Sequence, residues 1–417
     1  MRAPNAWSVI FLSTLLAAVV AQADFNDGVT AFNRQDYVAA EAHFAEAVSS
    51  NHGHAGSYFM LGRSQSKLGK TAEAVANLSK AVNLEPENAE YTIALARALK
   101  SDGKSKGAFD LMWEMDADAV DSRLRISRAL VLAGAAINLG REEDAAAVLE
   151  KCLSENPDDA SLHSAAGVIF KRLGRVSDAF DAYANACKLS AGDPDSCRTA
   201  IGFALGSEVS GLPEAERKEI LSKAADIGSE LAETTQTPSD RVLAGEASMF
   251  AERYETATAW FEQAGDLARQ DPTAMYYWGR SLASAGANIR ASSKLEEALR
   301  HEPEGSLTVR IHTLLARLAE CRIDLATAGR HRRMAGNENR ADELSQVATG
   351  YDRALAERGG LVETIAGLQR TVPQLEYLGD DAGVEAITTK ISGLQHELES
   401  IDIELDAVRS ALEQSCP

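Results

Sequence analysis

From residue 24 to residue 305 the apolar and small residues recur with a helical period that restarts every 34 residues. Residues 55–88, AGSYFMLGRSQSKLGKTAEAVANLSKAVNLEPEN, show the pattern most cleanly. Tyr58, Leu61, Gly62 and Gln65 fall on one face of a first helix. Gly69 sits in the following turn, where a residue without a Cβ closes a helix in the left-handed conformation. Ala74, Leu78 and Ala81 form the stripe of a second helix, and Pro86 ends the unit. Such a pair has two apolar sides and covers only one of them, so it requires neighbours of its own kind.

The same phase places units at 24–54, 89–122, 126–159, 160–193, 238–271 and 272–305, seven in all with the first. Gly167, Gly245 and Gly279 repeat the role of Gly62, and Ala108, Ala145, Ala179, Ala257 and Ala291 that of Ala74. Residues 194–237 leave the register; helices are expected at 197–207 and 214–233, the second opened by Pro213. This stretch reads as a degenerate unit, or alternatively as a hinge between 24–193 and 238–338. Two helices without a clean motif follow within 306–339, as in a terminal capping unit.

At residue 340 the period becomes seven. Ile387, Ile391, Leu394, Leu398, Ile401, Leu405, Val408 and Leu412 alternate steps of four and three, the seam of a coiled coil. Leu344, Val347, Tyr351, Ala354, Leu361, Ile365, Leu368, Val372 and Leu375 form an upstream arm, interrupted by Arg358, Gly359-Gly360 and Pro373. With a turn signal at 379–381, residues 340–417 are expected to form an antiparallel hairpin, its first arm kinked or broken at the glycine pair. Self-association of the second arm competes with this reading, although Glu397 and Asp402 would repel between parallel copies.

The seven units resemble tetratricopeptide repeats. That resemblance implies an all-α chain: a right-handed superhelical solenoid of helix pairs with five repeats over 24–193 and two over 238–305, followed by the coiled-coil hairpin. It also implies a concave face, built from the first helix of each pair, that binds extended peptides or partner helices. Phe59, Arg63, Ile93, Arg97, Lys100, Leu130, Lys171, Tyr276 and Arg280 take the lining positions. Arg63, Arg97 and Lys100 would form a basic notch beside Phe59 and Ile93, suited to a peptide with a carboxylate and an apolar anchor. The family's carboxylate clamp is absent, Arg63 standing where its asparagine is expected. Tyr276, Tyr277 and Trp278 with Arg280 offer either a second pocket or core.

Composition narrows the function classes. With 62 acidic against 42 basic residues the chain has a formal charge of −20, unsuited to nucleic acid or an anionic membrane. Arg2, the apolar run 7–21 and Ala21-Gln22-Ala23 read as a secretory signal over 1–23, which implies a periplasmic or secreted chain; an uncleaved anchor is the alternative. Cys187 and Cys197 flank a short turn and are candidates for a bridge, or else two small buried thiols. Cys152 and Cys321 read as packing residues and Cys416 as a free or intermolecular thiol. Gly103-Lys104-Ser105-Lys106-Gly107 lacks the strand a nucleophile elbow needs, and His52-x-His54 lacks further ligands. No cofactor, metal or catalytic site is expected. The composite expectation is an exported scaffold in a cell-envelope assembly, holding one protein partner on the concave face. The hairpin would take a second partner or another copy. An accessory or delivery subunit of an envelope enzyme or export machine is the alternative.

Overall fold

A computed structural model describes residues 25–50, 54–190, 193–378, 380–414 and 416. The signal expected over 1–23, His52 and the turn residue Gly379 lie outside the described residues. The described secondary structure is helical, and the chain divides into two compact units, residues 1–220 and 221–417. None of its described helices is long and apolar enough to cross a membrane.

In the first unit, helices pack in chain order as pairs: 25–33 with Tyr37–Ser50, Ala55–Lys67 with Thr71–Leu84, Ala89–Ser101 with Ser105–Glu114, Ser122–Ala136 with Glu142–Glu155, and Ala160–Arg172 with Val176–Leu189. First helices from the second pair onward open on side-chain caps. The Asn88 side chain accepts from the Glu90 and Tyr91 amides, and Asp159 accepts from the Leu162 amide, satisfying otherwise orphaned N–H groups. Gly69 turns the chain at φ 75°. The glycine–alanine seam is real packing: a Cβ on Gly62 would lie 2.6 Å from Leu78 Cγ, and one on Gly167 the same distance from Tyr183 Cε1. The facing Ala74, Ala108, Ala145 and Ala179 are fully buried.

Two expectations for this unit change. The fourth first helix begins at Ser122, capped by Asp121, a turn earlier than the phase predicts. The irregular stretch forms Pro194–Ala204, a single turn Ser207–Ser210 and the long helix Glu214–Thr235, within which the division between units falls.

The second unit contains the pairs Pro238–Phe250 with Tyr254–Ala264 and Pro272–Ser284 with Asn288–Leu299, then the capping pair Ser306–Cys321 with Leu325–Met334. Phe261, Met275, Trp278, Leu295, Ile311 and Leu318 are central to its core. Gly265 (φ 63°) ends one helix and starts an extra turn, Asp266–Gln270. Glu252, at φ 61°, occupies the turn position that glycine holds elsewhere.

Two long helices, Glu338–Leu378 and Asp381–Glu413, pack antiparallel. The break expected at Gly359-Gly360 does not occur, and Pro373 also lies inside the helix. Glycine in a helix costs only about 1 kcal/mol relative to alanine, and packing along the second arm offsets that. A Cβ at either glycine would meet nothing within 4 Å, so both face open space. Arg358 reaches across the arms to Asp402, Nε to Oδ1 2.6 Å.

The base of the hairpin is fastened to the capping pair by two adjacent residues. Glu320, buried, takes Arg332 on one carboxylate oxygen and Arg340 on the other, linking three helices. Cys321 is bridged to Cys416, correcting the expectation of a packing residue and a free or intermolecular thiol. The antiparallel return brings the end of the second arm back to its base, where Leu412 joins Ala319, Leu325, Ala328 and Leu344. Linear spacing does not reveal that proximity.

Candidate functional site

Because side chains three and four apart share a helix face, each first helix presents its exposed residues in one row, and successive first helices set those rows side by side. In the first unit this produces a groove of about 200 Å³ lined by Phe59, Arg63, Ile93 and Arg97, with Glu90, Ala94, Arg123, Leu124 and Ser127. Its floor is apolar. Phe59 and Ile93 are buried, and Phe59 packs on Tyr91 with ring centroids 4.5 Å apart. The Arg63 guanidinium lies 5.2 Å from the Phe59 centroid and 5.0 Å from that of Phe32, held over aromatic faces rather than by a carboxylate. Arg97 is exposed and makes no ion pair among the described residues.

Four of the seven lining residues expected in this unit therefore meet in one groove, and Lys100, Leu130 and Lys171 do not line it. Lys100 leans over the backbone of Gly134, where a Cβ would come within 2.8 Å of its Nζ. Lys171 is engaged elsewhere: its ammonium is 3.1 Å from Glu208 Oε1 and 5.5 Å from the Phe203 ring centroid. The turn Ser207–Ser210, outside the repeat phase, supplies that partner. Arg123 and Leu124 enter because the helix Ser122–Ala136 starts early, while Ser127 lies within the expected unit; the signal for the early start was Asp121, a residue suited to an N-cap.

In the second unit Tyr276 and Arg280 line a pocket of about 340 Å³ with Ala283, Ser284, Arg310, Thr313, Leu314 and Arg317. The Arg310 guanidinium sits 4.7 Å from the Tyr276 ring centroid. Trp278 points the other way, into the core against Phe261. One repeat earlier Glu246 occupies the position equivalent to Arg63, Arg97 and Arg280, and burial, with Asp271 nearby, raises its pKa from 4.5 to about 7. Below pH 4.5 this carboxyl is neutral in both folded and unfolded chains. Between 4.5 and 7 only the unfolded chain has released the proton, so stability falls as pH rises and the full penalty is present above 7. Glu246→Gln should therefore stabilise the second unit by on the order of 2 kcal/mol at pH 8 and by little at pH 4.5, measured by urea unfolding at the two pH values.

The remaining motifs are occupied structurally. Cys187 and Cys197 form a disulfide with a Cα–Cα distance of 4.5 Å. His54 caps its helix, Nδ1 accepting from the Ser57 amide, and Ser105 Oγ accepts from Asn138. No cluster of three or more metal-ligating side chains occurs among the described residues.

Stacked helix pairs that leave grooves along their first helices define a helical-repeat binding protein. Residues 55–88 and 130–194 match tetratricopeptide repeat models, and the chain is a tetratricopeptide-repeat protein. Solved structures similar to it include the Pseudomonas aeruginosa pilF protein, at 15% identity and a TM-score of 0.42 over 52% of this chain and 93% of that one. TTC0263, a thermophilic TPR protein of Thermus thermophilus, gives 22% identity and a TM-score of 0.36 over 45% and 100%. YrrB, described as a TPR protein with an unusual peptide-binding site, gives 20% and 0.34 over 46% and 97%. No curated protein matches the chain.

Proposed function

We propose that the chain is an exported scaffold of a cell-envelope assembly, holding a partner polypeptide along the first helices of its repeats. The carrying observation is the groove of Phe59, Arg63, Ile93 and Arg97: an apolar floor with arginines at its edge in a chain of net charge −20. An extended segment with an apolar anchor and a carboxylate suits it, since a guanidinium offers a carboxylate two parallel donors. Export is supported by the leader-like sequence and by the two disulfides, a feature of oxidising compartments. The hairpin, whose outer faces carry exposed Leu355, Val362, Tyr377 and Ile403, offers a second partner or another copy a surface.

The test is capture of partners from native envelope extract by the mature chain and by Arg63→Glu/Arg97→Glu. The double reversal removes two charge-assisted contacts and should weaken the repeat-face partner at least about tenfold, while partners held by the hairpin stay. Undiminished capture of every partner would rule this groove out.

A further inference from the structure

Two buried imidazoles of the capping pair take no part in either groove. His312 lies on the helix Ser306–Cys321 and His331 on Leu325–Met334, with their Nδ1 atoms 2.9 Å apart. The rings stack with centroids 5.1 Å apart; His312 is 9% exposed and His331 half-buried. At that separation one Nδ1–H donates and the other Nδ1 accepts. A first added proton leaves the bond intact, because an imidazolium still donates to a neutral ring. A second makes both nitrogens donors and sets two cations against each other with little water between them. Burial pushes both imidazoles below the usual histidine range; for His331 the neighbouring His312 and Arg330 add to this, and Asp324 opposes it. Charged groups on the other helices packed here are engaged elsewhere. Arg280 and Arg310 line the pocket, Lys294 pairs with Glu297, Arg333 with Asp342, Arg340 with Glu320, and Arg409 with Asp406. No carboxylate is hydrogen-bonded to either ring among the described residues.

The helix of His331 also fastens the hairpin. Ala328, one turn before it, packs with Leu344 and Leu412, and Arg332, the next residue, holds Glu320. We infer that the His312–His331 pair makes the joint between the capping pair and the hairpin acid-sensitive, closed with at most one added proton on the pair and open when both rings are charged. The closed joint excludes one proton that the open form takes up. Linkage then sets the size of the effect: as pH falls below about 6.5, the ordinary histidine value, the open population rises towards tenfold per pH unit. The stabilisation is fully present above that value and is lost on the acid side of it. The Cys321–Cys416 bridge keeps the end of the second arm attached, so the opening is local. The pair is independent of the groove of the first unit, and either can fail without the other.

The experiment is amide exchange of the full, disulfide-bonded chain from about pH 7.5 to about pH 5, with rates corrected for the intrinsic pH dependence of exchange. In Ser306–Cys321 and Leu325–Met334 the open population should rise by about tenfold or more between pH 6.5 and 5, with Ala55–Lys67 unchanged. The range stays above the ordinary carboxylate values, and Glu246, two helix pairs earlier, acts with the opposite sign. His331→Asn puts a neutral amide, whose oxygen accepts from His312, in place of a titrating ring, and should flatten the dependence. His312→Asn should do the same with the roles exchanged. Where either substitution already opens the cap at neutral pH, titration of the native ring C–H resonances decides, since the two rings of the closed form should take up no more than one proton. Cap exchange that stays flat over the range, a tenfold rise that persists in both asparagine variants, or two protons bound by a closed cap would overturn the inference.

Discussion

Glu320→Ala is expected to loosen the joint between the last helix pair and the hairpin. The Glu320 side chain is 1% exposed. Arg332 donates to Oε1 from both Nε and Nη2, at 2.9 and 2.7 Å, and Arg340 Nη2 is 3.3 Å from Oε2. Truncation would leave two guanidiniums facing each other at a buried site. Removing one member of a buried ion pair costs about 3–5 kcal/mol, and the lower end applies because Arg340 is partly exposed and reaches water. Urea unfolding of the second unit should register this loss. Removing the solvent-exposed pair Lys106–Asp110 should cost under about 1 kcal/mol.

Cys416→Ser should produce an effect of similar size by a different route. The Cys321–Cys416 bridge joins residues 95 apart, and closing a loop of that length lowers the entropy of the unfolded chain by the equivalent of about 4.7 kcal/mol in the chain-entropy model. Measured disulfide contributions run nearer 2–4 kcal/mol. The short Cys187–Cys197 loop should give about 2.7 kcal/mol on the same basis. Amide exchange should locate the loss: protection should fall first around Val408 and Leu412, which the bridge holds against Leu325 and Leu344, with the helix Ala55–Lys67 unaffected.

Repeats are legible because each repeat glycine restates one rule of helix approach. Gly62, Gly167, Gly245 and Gly279 each face a side chain that a Cβ would strike. The hairpin was legible from its seven-residue period, but the state of its first arm was not. Gly359-Gly360 marks where a helix is weakest, and the opposite arm decides whether it breaks. The grooves divided along the same line. Phe59, Arg63, Ile93 and Arg97 follow from the repeat phase. Arg123 and Arg310 enter through helices that depart from it, one starting a turn early and the other belonging to the cap. Glu320 and Cys321 carried no signal, because their partners lie 12 to 95 residues away and are set by the return of the hairpin.

A partner lying along the first helices of the repeats is tested most directly by hydrogen–deuterium exchange of the full chain, alone and saturated with a captured partner. Slowed exchange is expected in Ala55–Lys67, Ala89–Ser101 and the first turns of Ser122–Ala136, with little change in Thr71–Leu84 and Ser105–Glu114. Slowing confined to those second helices would contradict it.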